Sequence, residues 1–378
     1  MEPYTLNRSF LKQDVIDGFK SLIWTEKYYG DSDVELVVPS TSNMIAKLPV
    51  GTFLSINDSS EVMIVETINI EDGLLKVSGI SLLKWLDNRF VRASASHEDR
   101  YWYIAGYPAG HTLWHIVWNF CSGESSYLNG TIPTGIANPE KLAIPGLSLY
   151  DYDESGPDIS VGVPYGPVYT ALQEVAKTHE IGMQLLLVSA DESSYSLGFR
   201  SYKGLDRTSG QTDNMPVRFS PHMDSFTDIK ELQSIAKFKT LVYTFAPGLT
   251  PDEGEPDLRT TPGVSSLAGD EYVGFDLRAE QTFAEDVTTD MVGGSSENLL
   301  DILNSRAYDE LTTNAFVQMV DGEIVPDNQF QYGIHYNLGD IIEVEGNSGV
   351  VKSARITEYI RSQSESGEKT YPTVSIIE

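Results

Sequence analysis

The 378-residue sequence has a single cysteine, Cys121, so no disulfide can form within the chain and its stability rests on noncovalent packing. Basic residues are scarce: 26 Lys and Arg stand against 55 Asp and Glu, giving a net charge of −29. That balance lacks the basic footprint that displaces counterions from nucleic acid. It suits solubility, or a negative surface along which DNA slides without adhering. The opening MEPYTLNRSFLKQD has no basic stretch leading into an apolar one, so no signal peptide is expected. No apolar run approaches the roughly 20 residues that cross a bilayer. These absences predict a soluble protein made in a cytoplasm. A phosphate loop, a dinucleotide fingerprint and a Gly-x-Ser-x-Gly elbow are also missing.

What is present begins with a repeat. Residues 49–68, PVGTFLSINDSSEVMIVETI, resemble residues 336–360, YNLGDIIEVEGNSGVVKSARITEYI. Gly51 aligns with Gly339, and a constant offset pairs Ile56 with Val344, Val62 with Val350 and Ile68 with Ile356. LLKVSGI (74–80) then aligns with YPTVSII (371–377). Each copy alternates apolar and polar residues in three runs separated by turns, the period of paired strands. Glycine at the strand start lets the backbone bend where a side chain would clash.

The intervening chain mixes periods. SLLKWLDNRFV predicts a helix with Leu82, Leu83, Leu86 and Phe90 on one face and Ser81 as its cap. AGHTLWHIVWNFC (109–121) predicts another, with Leu113, Trp114, Val117, Trp118 and Cys121 as its stripe. Pro167 opens a third, whose Val168, Leu172, Val175 and His179 share a face. MQLLLVS and YSLGFRSY read as a hairpin around ADES. Residues 296–313 read as a helix with Leu299, Leu300, Leu303, Ala307 and Leu311 on one side, and Glu297 and Asp301 complementing its N-terminal dipole. Residues 122–166 and 247–270, rich in Gly, Pro and acids, read as long irregular stretches of functional or interface character.

Candidate chemistry is incomplete everywhere. His111 and His115 are one helical turn apart, but Thr112 stands where a zinc protease has its glutamate, so structural histidines are expected rather than a metal site. DYDESGPD (151–158) resembles the start of a calcium loop, but its twelfth position is Gly162, so a solvated acidic loop is expected. Cys121, in an apolar stripe, reads as a buried inert thiol. No catalytic residue, no metal and no cofactor is expected, and no binding residue can be singled out.

The segments LLKVSGISLLKWLDNRFV, YKGLDRTSGQTDNMPVRFS (202–220) and YNLGDIIEVE…ARITEYI…YPTVS resemble, in order, the tail-hub or minor tail proteins of long-tailed non-contractile bacteriophages, especially of actinobacterial hosts. Some members carry Arg-Glu where this chain has Arg278-Ala279-Glu280, so the match there is loose. The resemblance implies a mainly β fold with α+β insertions: two related β-barrel tube domains plus smaller inserted domains. The boundaries expected are a first tube domain over 1–100, an α+β insertion over 101–204, the second tube domain over 205–260 and 325–378, and an insertion with a helix over 261–324.

By the same resemblance, three chains with two tube units each form a pseudo-sixfold homotrimeric ring at the tail tip, which meets the sixfold tail tube. The implied partners are the distal tail ring, tape-measure and tip or fibre proteins, with viral DNA passing through the lumen. The chain ends directly after its last expected strand, which reads as a bare hub. The alternatives are a tail-tip carbohydrate-binding or cell-wall-degrading protein, and a secretion-system spike hub.

Overall fold

The computed structural model describes all residues except 92–100, 123–142, 190–194, 248, 250–260, 268–271, 288–295, 326–328 and 378. The fold is mainly β with small helical insertions, and two compact units can be told apart. One comprises Met1–Asp228 and Gly322–Glu378; the other comprises Ile229–Asp321.

The first unit opens with β1 (Pro3–Leu6), β2 (Lys12–Val15), β3 (Ser21–Lys27), β4 (Asp33–Pro39), β5 (Phe53–Ile56), β6 (Met63–Glu71) and β7 (Leu74–Ser81). Helix α1 (Ser42–Lys47) is capped by Thr41, whose Oγ1 accepts the Met44 N–H. Strand alternation buries Leu22, Trp24, Val34, Leu36, Val38, Leu75 and Val77 on one face. These residues share one core with Leu54 and Ile56 of β5 and with Met44 and Leu48 of the helix region, so the sheet curls around its own apolar face.

Between the repeats lie β8 (Phe90–Val91), β9 (Tyr101–Tyr107), α2 (Ala109–Cys121), β10 (Leu147–Asp151), β11 (Ile159–Pro164), β12 (Gly166–Pro167), α3 (Val168–Thr178), β13 (Gly182–Ser189) and β14 (Tyr195–Tyr202). The two helices pack on the β13–β14 hairpin through Leu113, Val117, Leu172, Val175, Leu185 and Phe199. Pro167 takes the N-cap position of α3.

Two expectations shift here. The helix foreseen around residue 84 is a single 3₁₀ stretch, Lys84–Asn88, with the Lys84 N–H donated to Ser81 Oγ. The chain is already extended at Arg89, so Phe90 never joins that face; it lies in β8, 62% exposed. In α2 the buried stripe is Leu113, Ile116, Val117, Phe120 and Cys121, while Trp114 and Trp118 are half-buried and stack on each other. Strands β10 and β11 interrupt the stretch foreseen as irregular over 122–166, of which 123–142 lies outside the described residues.

The remaining strands are β15 (Arg218–Phe219), β16 (Phe226–Ser234), β17 (Leu241–Phe245), β18 (Gly263–Ser266), β19 (Ala279–Phe283), β20 (Val317–Ile324), β21 (Ile341–Glu345), β22 (Val351–Ser364) and β23 (Gly367–Ile376). In the smaller unit β17 lies between β18 and β19, and α4 (Ser296–Thr313) packs with them through Leu299, Leu303, Ala307 and Leu311. Leu300, foreseen on that stripe, is only half-buried. Most of the other stretch foreseen as irregular, 247–270, lies outside the described residues, although β18 falls within it.

The two repeats belong to one sheet, in the order β15–β21–β22–β3–β4–β7–β6–β5–β1–β2, with β23 on the other edge of β22. The pairing corrects the alignment. Phe53 faces Ile64 as Ile341 faces Arg355, so the later copy's first turn is three residues longer. Both second strands carry a register shift at the matching place, between Val65 and Thr67 and between Ile356 and Glu358. Gly79 faces Val65 as Val374 faces Ile356, so the third run is two residues away from the alignment read off the sequence. A slip of two keeps every side chain on its face, which is why alternation alone cannot detect it.

Candidate functional site

Two features make the sheet the candidate functional surface: the joint that locks its two halves together, and the polar face it presents. The joint starts at the repeated glycine. Gly51 and Gly339 have φ of +86° and +93°, a conformation that L side chains resist. Each donates its N–H to the opposing strand, Gly51 to Val65 and Gly339 to Ile356. Their surroundings differ. Open space surrounds Gly51 except for Arg8 Nη2 at 3.5 Å from an added Cβ, whereas a Cβ on Gly339 would lie 2.3 Å from the Tyr28 ring.

Tyr28 is fully buried and its hydroxyl accepts the Gly204 N–H at 3.2 Å, with the Glu180 and Tyr202 carbonyl oxygens at 3.1 and 3.2 Å. Burial raises its pKa, so the hydroxyl stays a donor as well. Gly204 in turn runs so close to Gly339 that a Cβ would lie 1.9 Å from the Gly339 carbonyl oxygen. Arg355, itself buried, donates to that carbonyl at 3.0 Å and to Glu180 Oε2 at 2.7 Å.

The segments GLDRT and PVRFS flank β21. Backbone bonds run from Ile341 to Leu205, from Arg207 to Ile341 and from Glu343 to Val217. Asp340 ties them together: Oδ2 accepts Arg207 Nε at 2.6 Å and the Asn337 N–H at 2.9 Å, and Oδ1 accepts the Leu205 N–H at 2.8 Å. Glu343 accepts from Ser209 and from Arg218 Nε at 2.8 Å. Burial pushes its pKa up, but the hydrogen bonds from Ser209 and Arg218 outweigh that and hold the carboxyl below its ordinary value. No local signal pairs these charges, since 133 residues separate Arg207 from Asp340. The only available signal was that both motifs recur together in the resemblance.

Across the central strands one face is apolar and buried, and the other is polar. Pairing carries the row Ser362–Ile23–Glu35–Ser78–Thr67, polar except at Ile23, across five strands. On β3, β4, β6, β7, β22 and β23 this face bears Asp33, Glu35, Glu71 and Glu358 against Lys27, Lys76, Lys369 and the buried Arg355, leaving aside Glu66 in the bulge. The face is therefore rich in hydroxyl groups and close to charge balance.

Glu61 is buried and hydrogen-bonded by Ser32 and Gln184. Burial, with the Glu26 carboxylate nearby, pushes its carboxyl up to about 8. Glu26 pairs with Arg361 at 3.0 Å.

The residues weighed as chemistry lie elsewhere. His111 and His115 stack on each other at 4.6 Å, and His111 stacks on Tyr152 at 4.2 Å. Stacked rings turn their faces, not their nitrogen lone pairs, toward one another, and burial together with His111 lowers the His115 pKa. Among the described residues no cluster of three or more His, Cys, Asp or Glu could hold a metal. Cys121 is buried, its thiol pushed up to about 12, which keeps it protonated. Asp151 ends β10, and Asp153 accepts from Ser155 within an exposed loop. Ala279 and Glu280 lie in β19, and the Arg278 guanidinium donates to the Ile235 carbonyl.

The family model described as siphovirus ReqiPepy6 Gp37-like protein matches residues 3–374. Among solved structures, the 43 kDa tail protein of prophage MuSo2 from Shewanella oneidensis is similar at TM-score 0.52 and 12% identity, covering 99% of this chain and 98% of that one. Prophage tail protein gp18 from Listeria monocytogenes gives 0.49 and 11% over 100% and 95%. A tail protein from Neisseria meningitidis gives 0.49 and 10% over 99% and 96%. No curated protein matches the chain in sequence.

Proposed function

Since the chain belongs to the siphovirus ReqiPepy6 Gp37-like family and is a structural protein of a phage tail, we propose that it serves as the tail hub. Three copies form a ring at the tail tip. The single observation that carries this reading is the duplicated hairpin, with its shared glycine turn and shared bulge, built twice into one sheet. Two similar units in each of three chains supply six similar positions to a sixfold tube while leaving threefold symmetry on the other side. The distal tail ring, tape-measure and fibre or tip proteins are its neighbours in the virion, and assembly takes place in the host cytoplasm.

The polar sheet face lines the channel in this reading. A wall of hydroxyls with nearly balanced charge offers DNA no array of cations to neutralise its phosphates. Most of the chain's charge of −29 then lies away from the lumen. Catalysis is not part of this function. Native mass spectrometry of tail tips tests the stoichiometry: a species of three chains is expected, and six copies or one would overturn the ring. Cell-wall zymograms and glycan arrays separate the runner-up, because a hub is silent on both.

A further inference from the structure

The repeat is complete in topology but unequal in pairing. In the second copy the edge of β22 beyond the bulge, from Glu358 to Ser364, is covered by β3 in antiparallel register. In the first copy the matching edge of β6, Thr67–Glu71, has no partner among the described residues, because β5 pairs with β6 only at Ile64 and Met63. We propose that this edge is where a second copy of the chain adds a strand, and that the strand is its β16, Phe226–Ser234. This rests on the ring reading and names its subunit contact.

Backbone geometry supports an edge built to pair. Asp72 and Gly73, at φ of +52° and +75°, form a two-residue hairpin turn closed by the pair Glu71 and Leu74. Hydrogen-bonded pairs alternate with non-bonded ones in such a ladder. Glu71, Asn69 and Thr67 therefore bond to β7, and Ile68 and Ile70 direct their N–H and C=O groups outward. The second copy agrees. Tyr359, the counterpart of Ile68, stands opposite Pro372, which has no N–H to give it, and faces Glu26 of β3 on the other side.

Natural edges are usually blunted by lysine, proline or a covering segment. The outer edge of β23 is blunted in this way, by Lys369 and Pro372. The Thr-Ile-Asn-Ile-Glu edge of β6 has neither, and Ile70 is 52% exposed.

The occupant follows from the same comparison. β3 and β4 are the strand pair that precedes the first repeat, and β16 and β20 are the strand pair that precedes the second. β3 is paired on both sides, by β4 and β22, whereas β16 is paired only by β20 among the described strands. Among the described residues, a chain therefore has one β6 edge without its β3-like cover and one β3-like strand without its edge. Within one chain the second repeat uses the first pair; the first repeat is left to use the second pair of a neighbour. Repeated around the ring, each subunit gives one strand and receives one, a heterologous contact that closes after three copies.

The test uses tails assembled with the full chain carrying a photo-crosslinking benzoylphenylalanine at Ile70. The expected product is a chain-to-chain adduct whose crosslinked peptide spans residues 226–234. Ile70→Pro, which removes an outward N–H, is expected to leave the melting temperature of the free chain unchanged and to cut its incorporation into tails at least tenfold. Incorporation of Ile70→Pro at the parent level would overturn the inference. A threefold ring whose crosslinks from position 70 map outside 226–234 would overturn it and leave the ring standing. Tails with no trimer of this chain would overturn both.

Discussion

The β5–β6–β7 and β21–β22–β23 units share a positive-φ glycine, two hairpins and a bulge, yet their settings differ at each of these points. Gly51 sits in open surroundings, whereas Gly339 is pressed against Tyr28 and Gly204. Beyond the bulge the edge of β6 away from β7 has no partner among the described residues, whereas the matching edge of β22 is covered by β3. The common features are those that backbone geometry needs to make the unit at all. The differences follow from where each copy stands: the second is the internal joint of the chain, and the first is left outward. Packing at the joint is correspondingly dense and charged, with Arg207, Asp340 and Arg355 all buried.

Substitution of the paired glycines should separate the two settings most widely. Gly51→Ala meets only the cost of an unfavourable φ, about 1–2 kcal/mol. Gly339→Ala adds displacement of the Tyr28 ring, a strain of about 1–3 kcal/mol more. Denaturant melts of both variants should therefore differ by that amount, and equal losses would mean that the joint is softer than its contacts imply.

Asp340→Ala is expected to cost about 3–5 kcal/mol, because it leaves the Arg207 guanidinium buried without its partner. The corresponding position in the first copy, Thr52, carries no charge, so Thr52→Ala should fall within about 1 kcal/mol. Tyr28→Phe, which strips the Gly204 N–H of its acceptor, should cost about 1–3 kcal/mol by the same melts.

A smaller effect, read through pH, concerns Glu61. Its folded pKa of about 8 exceeds its unfolded value, so its stabilising contribution is complete below about pH 4.3 and lost as pH rises toward 8. Glu61→Gln should flatten that decline in melting temperature between pH 5 and 8, since the amide never ionises beside Glu26. A parallel decline in the variant would assign the pH dependence to other groups.

Much of this asymmetry could not be read along the chain. The alternation of β4 to β7 and the matched glycines are local signals, and they located the repeat. The lengths of the turns and the bulges at Val65 and Ile356 are set by pairing partners, so the alignment drifted by three residues and then by two. Helical periodicity foretold α2, α3 and α4, but it overran at Phe90, where pairing with β12 wins over a single 3₁₀ turn. The joint was the hardest part to foresee. Tyr28, Gly204, Arg207, Gly339 and Asp340 are distant in sequence, and no charge pattern at a fixed spacing joins them. His111 and His115 keep the one-turn spacing visible in the sequence, and their rings stack on each other.

In the proposed hub the two copies are near-equivalent positions in one closed ring. Cryo-microscopy of the tail tip, reconstructed without imposed symmetry, tests it most directly. Three copies of the chain are expected around the tube axis, with the β5–β6–β7 and β21–β22–β23 units alternating at six near-equal angular positions. Six copies, or three copies whose two repeats lie at different distances from the axis, would contradict it.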